Sequence, residues 1–147
     1  MENVKFVSLE EILGKDAQEL SQIKEGAFDV EKLGAVPYSA LDHTEYKACK
    51  KDCMKMVPNG TGGMVPELDD DKLMIKVILA AVNKDARSSF TFMNKKLLDK
   101  LGVVSADDAV VALVAPGEVF RWAVDIQNLS GFGQKAKKAL TEEVKNS

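Results

Sequence analysis

Residues Leu73 to Val82 read LMIKVILAAV, a run in which Lys76 is the only charged side chain. Such a run fits a buried strand or a buried helix, because hydrophobic periodicity alone does not separate the two. The flanks favour a helix, since three aspartates (Asp69 to Asp71) precede the run and Arg87 follows it. Carboxylates suit the positive end of a helix dipole and a cation suits the negative end. We therefore predict a central core helix that is covered on most sides.

Length and composition favour one domain over residues 1–147. The chain is 46% hydrophobic, which is enough to bury a core of ordinary size. Within it we expect an N-terminal helical segment over 1–25, a core over 26–132 and a frayed tail over 133–147. The tail should fray because its lysines precede its glutamates, an order that opposes the helix dipole.

Charge and hydropathy exclude several classes of protein. A net charge of −3 argues against nucleic-acid binding, which uses clustered basic side chains. No apolar run reaches the roughly 20 residues of a membrane-spanning helix, and residues 1–12 lack the apolar centre of a signal peptide. Two cysteines cannot staple a domain of this size, so we expect a reduced, cytosolic protein.

Capping residues predict where the remaining helices begin, because their side chains can accept hydrogen bonds from the first helical turn. Gly14-Lys15-Asp16 leaves open whether one helix or two follow Ser8. The helix after Asp42 is expected to run to about Val57. The predicted capping residues are Ser8, Asp16, Asp42, Asn94 and Ser105, and Pro116 suits the first turn of the last helix.

Two segments break the helical pattern. Over 26–41, apolar residues alternate on both sides of Gly34, which predicts a short hairpin with Pro37 on an edge strand. Residues 58–66, PNGTGGMVP, are rich in glycine and proline and are predicted to form a loop. The expected fold class is mainly α: a compact multi-helix domain with a short N-terminal β-hairpin.

Three groups of residues partly match known chemical sites. His43, Cys49 and Cys53 lack a fourth ligand and the usual paired-cysteine spacing of a zinc site. Residues 60–63 lack the Lys-Ser/Thr that completes a phosphate-binding loop. Asp69 to Asp71 lack the acidic spacing of a calcium loop and are explained by helix capping. We therefore expect no catalytic residue, no metal and no cofactor.

An ordered set of features fills the second half of the chain: LVAPGE over Leu113 to Glu118, then Ile126 and Leu129, then Gly131-Phe132. This order resembles the end of XkdN-like phage tail assembly chaperones. The resemblance covers about 28–132 and is strongest over 97–132. It leaves the N-terminal helical segment and the tail outside.

The resemblance implies a non-enzymatic protein of a phage or prophage in the cytoplasm of the bacterial host. Such chaperones coat the tape measure protein and present it to tail-tube subunits. Whether the chain also self-associates stays open. The alternative function is a small virion structural or tail-completion adaptor protein, and a more distant one is a small enzyme or metal protein.

The last predicted helix divides into three faces. Helical spacing places an apolar stripe against the central helix, formed by Val119, Trp122, Ala123, Ile126 and Leu129. A solvated face is expected from Glu118, Arg121, Asp125 and Asn128. Phe120 and Val124 belong to neither face. They are covered by the hairpin or the tail, or they form a partner-binding patch together with Phe132.

Overall fold

The computed structural model describes residues 6–131, which form seven helices and two antiparallel hairpins. In chain order the elements are α1 (Leu9–Leu13), α2 (Ala17–Leu20), β1 (Glu25–Val30), β2 (Gly34–Ser39), α3 (His43–Asp52), β3 (Met54–Pro58), β4 (Met64–Leu68), α4 (Asp70–Lys84), α5 (Lys95–Leu101), α6 (Ala106–Leu113) and α7 (Pro116–Leu129). The frayed tail that we expect over 133–147 lies outside the described residues.

The prediction of a mainly α fold with a single N-terminal hairpin is wrong. About 50% of the described chain is helical and 17% is strand, and both hairpins lie in the middle of the chain. Residues 58–66, predicted as a loop, form the outer part of the second hairpin. The predicted extension of the third helix to about Val57 is also wrong, since α3 ends at Asp52 and β3 begins at Met54. The chain reverses direction between β3 and β4 because of hydrogen bonds within the turn. The Asn59 side-chain oxygen accepts hydrogen bonds from the N–H groups of Thr61 and Gly63, at 2.9 and 3.1 Å.

The capping predictions are confirmed. The capping side chains of α1, α2, α3, α5 and α6 each accept a backbone hydrogen bond from the first turn, and they are Ser8, Asp16, Asp42, Asn94 and Ser105. Helices α1 and α2 are separate, so the break at Gly14-Lys15-Asp16 is real. Gly102 ends α5 in the left-handed conformation, with φ of 69°.

Helix α4 is the central helix that the sequence predicts. Asp69 caps it by accepting a hydrogen bond from the Lys72 N–H at 3.1 Å. Val77, Ile78 and Ala81 have no solvent exposure. Helices α3, α6 and α7 and strand β2 all pack against α4. An apolar helix is thereby enclosed on several sides, as its composition requires.

The β1–β2 hairpin closes one side of this core. Its register pairs Phe28 with Val36 and Ala27 with Pro37. Val36 and Tyr38 are buried on the side that faces α4, and Val30 is buried at the turn. The edge position predicted for Pro37 is confirmed, since each strand of this two-stranded sheet has an unpaired outer edge.

An aromatic cluster joins this hairpin to α7. Trp122 is fully buried and stacks on Phe28, with ring centroids 5.1 Å apart and planes within 5°. Tyr38 and Phe92 contact the same indole from other sides, with centroids at 6.3 and 6.2 Å. The predicted orientation of the Trp122 stripe towards α4 is confirmed. The cluster therefore ties together hairpin, α7 and the segment after α4.

A buried carboxylate pins the hairpin to the end of α4. Asp85 accepts hydrogen bonds from Ser39 Oγ at 2.9 Å and from the Arg87 guanidinium at 2.9 Å. Arg87 also donates to the carbonyl oxygens of Gly26 and Tyr38. The hydrogen bond from Arg87 is the main reason why the pKa of Asp85 is lowered to about 2.

Replacing Trp122 by alanine should lower the free energy of unfolding by about 3–5 kcal/mol, because a fully packed indole leaves a cavity. Chemical denaturation followed by circular dichroism measures this loss. Val111→Ala is the control, since Val111 is 64% exposed on α6 and its loss should cost less than about 0.5 kcal/mol. Equal costs for the two variants would contradict the packing described.

The Asp85 carboxylate should make stability depend on pH in acid. Its pKa is depressed in the folded state, so its stabilisation of about 2 kcal/mol is present above about pH 4 and is lost as pH falls towards 2. The stability difference between the wild type and Asp85→Asn should therefore shrink as urea unfolding is measured from about pH 6 to about pH 3. Asp99→Asn, at an exposed position on α5, serves as the control. A difference that stays constant with pH would rule out this role.

Candidate partner-binding surfaces

The outer face of α7 carries the apolar residues that the sequence singled out. Phe120 is 59% exposed, whereas its neighbours Val119 and Trp122 are buried against the core. Val124, one helical turn after Phe120, is half-buried. Exposed Arg121 lies between them in sequence. The structure thus leaves one of the two side chains open to solvent. Phe132, the third predicted member of this patch, lies outside the described residues.

Glu118 does not belong to the solvated face of α7, so this part of the prediction is wrong. Its side chain is buried and accepts two backbone hydrogen bonds, both of 2.9 Å. One donor is the Glu31 N–H at the β1–β2 turn and the other is the Ala115 N–H before α7. These hydrogen bonds, led by that from Glu31, lower the pKa of Glu118. The contact with Glu31, 87 residues away, has no signal in the local sequence.

The N-terminal segment displays apolar side chains as well. Neither α1 nor α2 contributes a buried residue. The exposed side chains are Phe6, Val7, Leu9, Leu13, Leu20 and Ile23. The end of this segment borders a groove of about 450 Å³, where Leu20 and Ile23 face Leu41 and Leu129. The apolar residues of α1 and α2 follow helical spacing, but they are not buried in the described core.

The second hairpin adds a surface that sequence reasoning missed. Met54, Met56 and Met64 are 46%, 57% and 55% exposed. An available signal was Asn59-Gly60, a pair typical of hairpin turns, between two short apolar stretches. The residues between those stretches are uncharged and rich in glycine, which favoured the interpretation as a loop.

The three candidate metal ligands occupy different environments. His43 is exposed at the start of α3, whereas Cys49 and Cys53 are buried and free. Burial raises the pKa of both thiols. Over residues 6–131, no group of three or more histidine, cysteine or acidic side chains is arranged to hold a metal ion. None of the described helices has the length and hydropathy to cross a membrane.

A comparison with protein families places these surfaces in context. The sequence model of one family, the phage XkdN-like tail assembly chaperone proteins, matches residues 9–145. The chain belongs to this family. Searches of curated proteins and of solved structures gave no significant match.

The family match is wider than the resemblance read from the residues alone. It extends from 28–132 to 9–145, and so takes in α1, α2 and most of the tail. The exposed Leu9, Leu13, Leu20 and Ile23 of the N-terminal segment therefore lie within the part of the chain that the family model matches. Expecting that segment to lie outside the family was wrong.

In this tail assembly chaperone, the Pro-Gly-Glu sequence at the start of α7 has a structural role. Glu118→Ala should clearly lower the melting temperature, because two backbone donors lose their acceptor. Glu118→Gln should have a smaller effect, since it keeps one acceptor oxygen. Asp125→Ala, exposed on the same helix, should change the melting temperature by no more than about 2 °C. Indistinguishable melting curves for Glu118→Ala and Asp125→Ala would contradict this role.

Proposed function

We propose that this chaperone binds the tape measure protein in the cytoplasm of the bacterial host and presents it to tail-tube subunits. It acts without catalysis and leaves before the tail is complete. The gene belongs to a phage or a resident prophage. Membership of the tail assembly chaperone family supports the general role. The finer assignment rests on the surface of α7.

The observation that carries the proposal is the exposure of Phe120. A phenylalanine on the outside of a helix loses the free energy that burial of its ring would give. Within residues 6–131 the core leaves this ring exposed, because the opposite stripe of α7 already packs on α4. An apolar side chain with polar neighbours, here Arg121 and Asp125, is typical of a partner-binding site.

The proposed occupant is one helix of the tape measure protein. Before the tube encloses it, a long helical protein exposes apolar faces that can aggregate. A helix face that carries Phe120, with Val124 at its edge, can cover part of such a stripe through side chains spaced four residues apart. Phe132 is proposed as the third contact. Release follows when the tube subunits bury the same stripe.

The test is co-purification of tagged chaperone with a co-expressed tape measure protein from the same genome. Phe120→Ser should reduce recovery of the tape measure protein at least about tenfold while thermal stability stays near that of the wild type. Val111→Ser, at a similarly exposed position on α6, is the matched control and should keep full recovery. Full recovery with Phe120→Ser would place the site elsewhere.

The stability of the double variant Phe120→Ser, Val124→Ser shows whether these two side chains form an exposed surface or a buried contact. A loss of several kcal/mol of stability would mean that the patch is covered and is not a binding site. Mass spectrometry of finished particles addresses the alternative function. A chaperone should be absent from them, and a structural or tail-completion adaptor should be present.

A further inference from the structure

The second hairpin has one face without any charged or hydrogen-bonding side chain. Directly paired residues of an antiparallel hairpin point to the same face, and alternate pairs share it. The pairs on this face are Met54 with Leu68, Met56 with Pro66, and Pro58 with Met64. Three of the six methionines in the chain therefore lie together. We call these six residues the methionine face.

The methionine face is open to solvent except at its base. The three methionines are between 46% and 57% exposed, and both prolines are exposed. Leu68 alone reaches the hydrophobic core, as a half-buried side chain. No other described helix or strand packs extensively on β3 or β4. An apolar face of this kind is not explained by the core of the described residues.

Backbone hydrogen bonds close the second hairpin at both ends. At its base, the Asp69 N–H donates to the Cys53 carbonyl oxygen at 2.9 Å, next to the buried Cys53 side chain. At its tip, Asn59 N–H donates to the Gly63 carbonyl oxygen at 3.0 Å. Helix α3 ends directly before β3, and α4 begins directly after β4. These hydrogen bonds fix the pairing of the two strands, so the six side chains lie on one face before a partner binds.

The geometry points to an occupant: we propose that the methionine face binds the apolar stripe of an amphipathic helix about three turns long. Each strand has five residues, which corresponds to about 16 Å, the length of three helical turns. Two strands about 5 Å apart make a face about 10 Å wide, close to the diameter of a helix.

Size and backbone chemistry argue against other occupants. The face consists of six residues, whereas each side of a stable interface between globular proteins has about 20–30, so a second copy is disfavoured. Strand addition is disfavoured because Pro58 and Pro66 interrupt the backbone donors of the two strands. A helix needs no backbone hydrogen bonds from its partner.

Methionine suits a surface that accepts several different helices. Its side chain is unbranched, flexible and polarisable, so it adapts to apolar surfaces of different shape. Binding proteins that recognise many helices use such methionine-rich surfaces. The methionine face therefore selects for an apolar stripe and tolerates variation in its sequence. This surface is separate from Phe120 and does not depend on the assignment of the tape measure protein.

The first experiment uses the whole chain with methionine ε-methyl groups labelled for NMR. The probe is a synthetic 18-residue amphipathic helix with a single leucine stripe and with glutamate and lysine elsewhere. Addition of the peptide should shift the signals of Met54, Met56 and Met64 and leave those of Met74 and Met93 in place. The control peptide has the same composition, but its apolar and polar residues alternate, a pattern that favours a strand. It should produce no shifts. Shifts confined to Met74 or Met93, or none at all with the helical peptide, would overturn the proposal.

The second experiment measures affinity for the same labelled peptide by fluorescence anisotropy. Met56→Gln with Met64→Gln should weaken binding at least about tenfold, because two apolar contacts become polar. Met93→Gln, at a position that is 61% exposed, and Val65→Thr, on the opposite face of the hairpin, should change affinity less than about twofold. Equal loss in a control variant would refute the site. Phe120→Ser should keep full peptide binding. Peptide binding therefore tests the methionine face alone, and recovery of the tape measure protein with Phe120→Ser tests the proposed function alone.

Discussion

The fold depends on the need to enclose α4, a helix with apolar side chains on most of its surface. No single neighbour can cover such a helix, and here α3, α6, α7 and β2 each pack against part of it. Trp122 is the largest side chain in this enclosure, and its stack on Phe28 brings the first hairpin against α7. The polar contacts of Asp85 and Glu118 then attach the first hairpin to the end of α4 at its base and to the start of α7 at its turn. Apolar burial supplies most of the driving force, and these few hydrogen-bonded carboxylates fix the geometry.

Enclosing α4 leaves other apolar side chains without a place in the described core. Most of them lie on three separate elements: the N-terminal segment, the methionine face and the outer side of α7. A family of assembly chaperones gives this distribution a physical sense, because a protein that shields another must expose apolar area while it remains folded. Separating a tightly packed core from exposed apolar surfaces allows both requirements to be met. The two docking proposals concern different surfaces. Phe120 on α7 is proposed to bind the tape measure protein, and the methionine face is proposed to bind amphipathic helices of varied sequence.

Local chemistry explains why much of the fold could be predicted. Capping by Asp42 or Asn94 involves residues only three positions apart, so the sequence contains the whole interaction. The second hairpin was missed because its strands are short, contain two prolines and flank a glycine-rich turn. Glu118 was misplaced for a different reason. Helical spacing gave its position on α7, but its partner Glu31 lies far away in the chain.

The sequence by itself determined the central helix, the caps, the first hairpin and the apolar stripe around Trp122, because these follow from periodicity and short-range hydrogen bonds. It also carried the family resemblance. Only the tertiary structure decided which apolar residues are buried. Phe28 and Phe120 are the same residue type, yet one stacks on Trp122 and the other is 59% exposed. Burial depends on which distant surfaces meet, and that is a property of the assembled core, since no local pattern contains the partner's position.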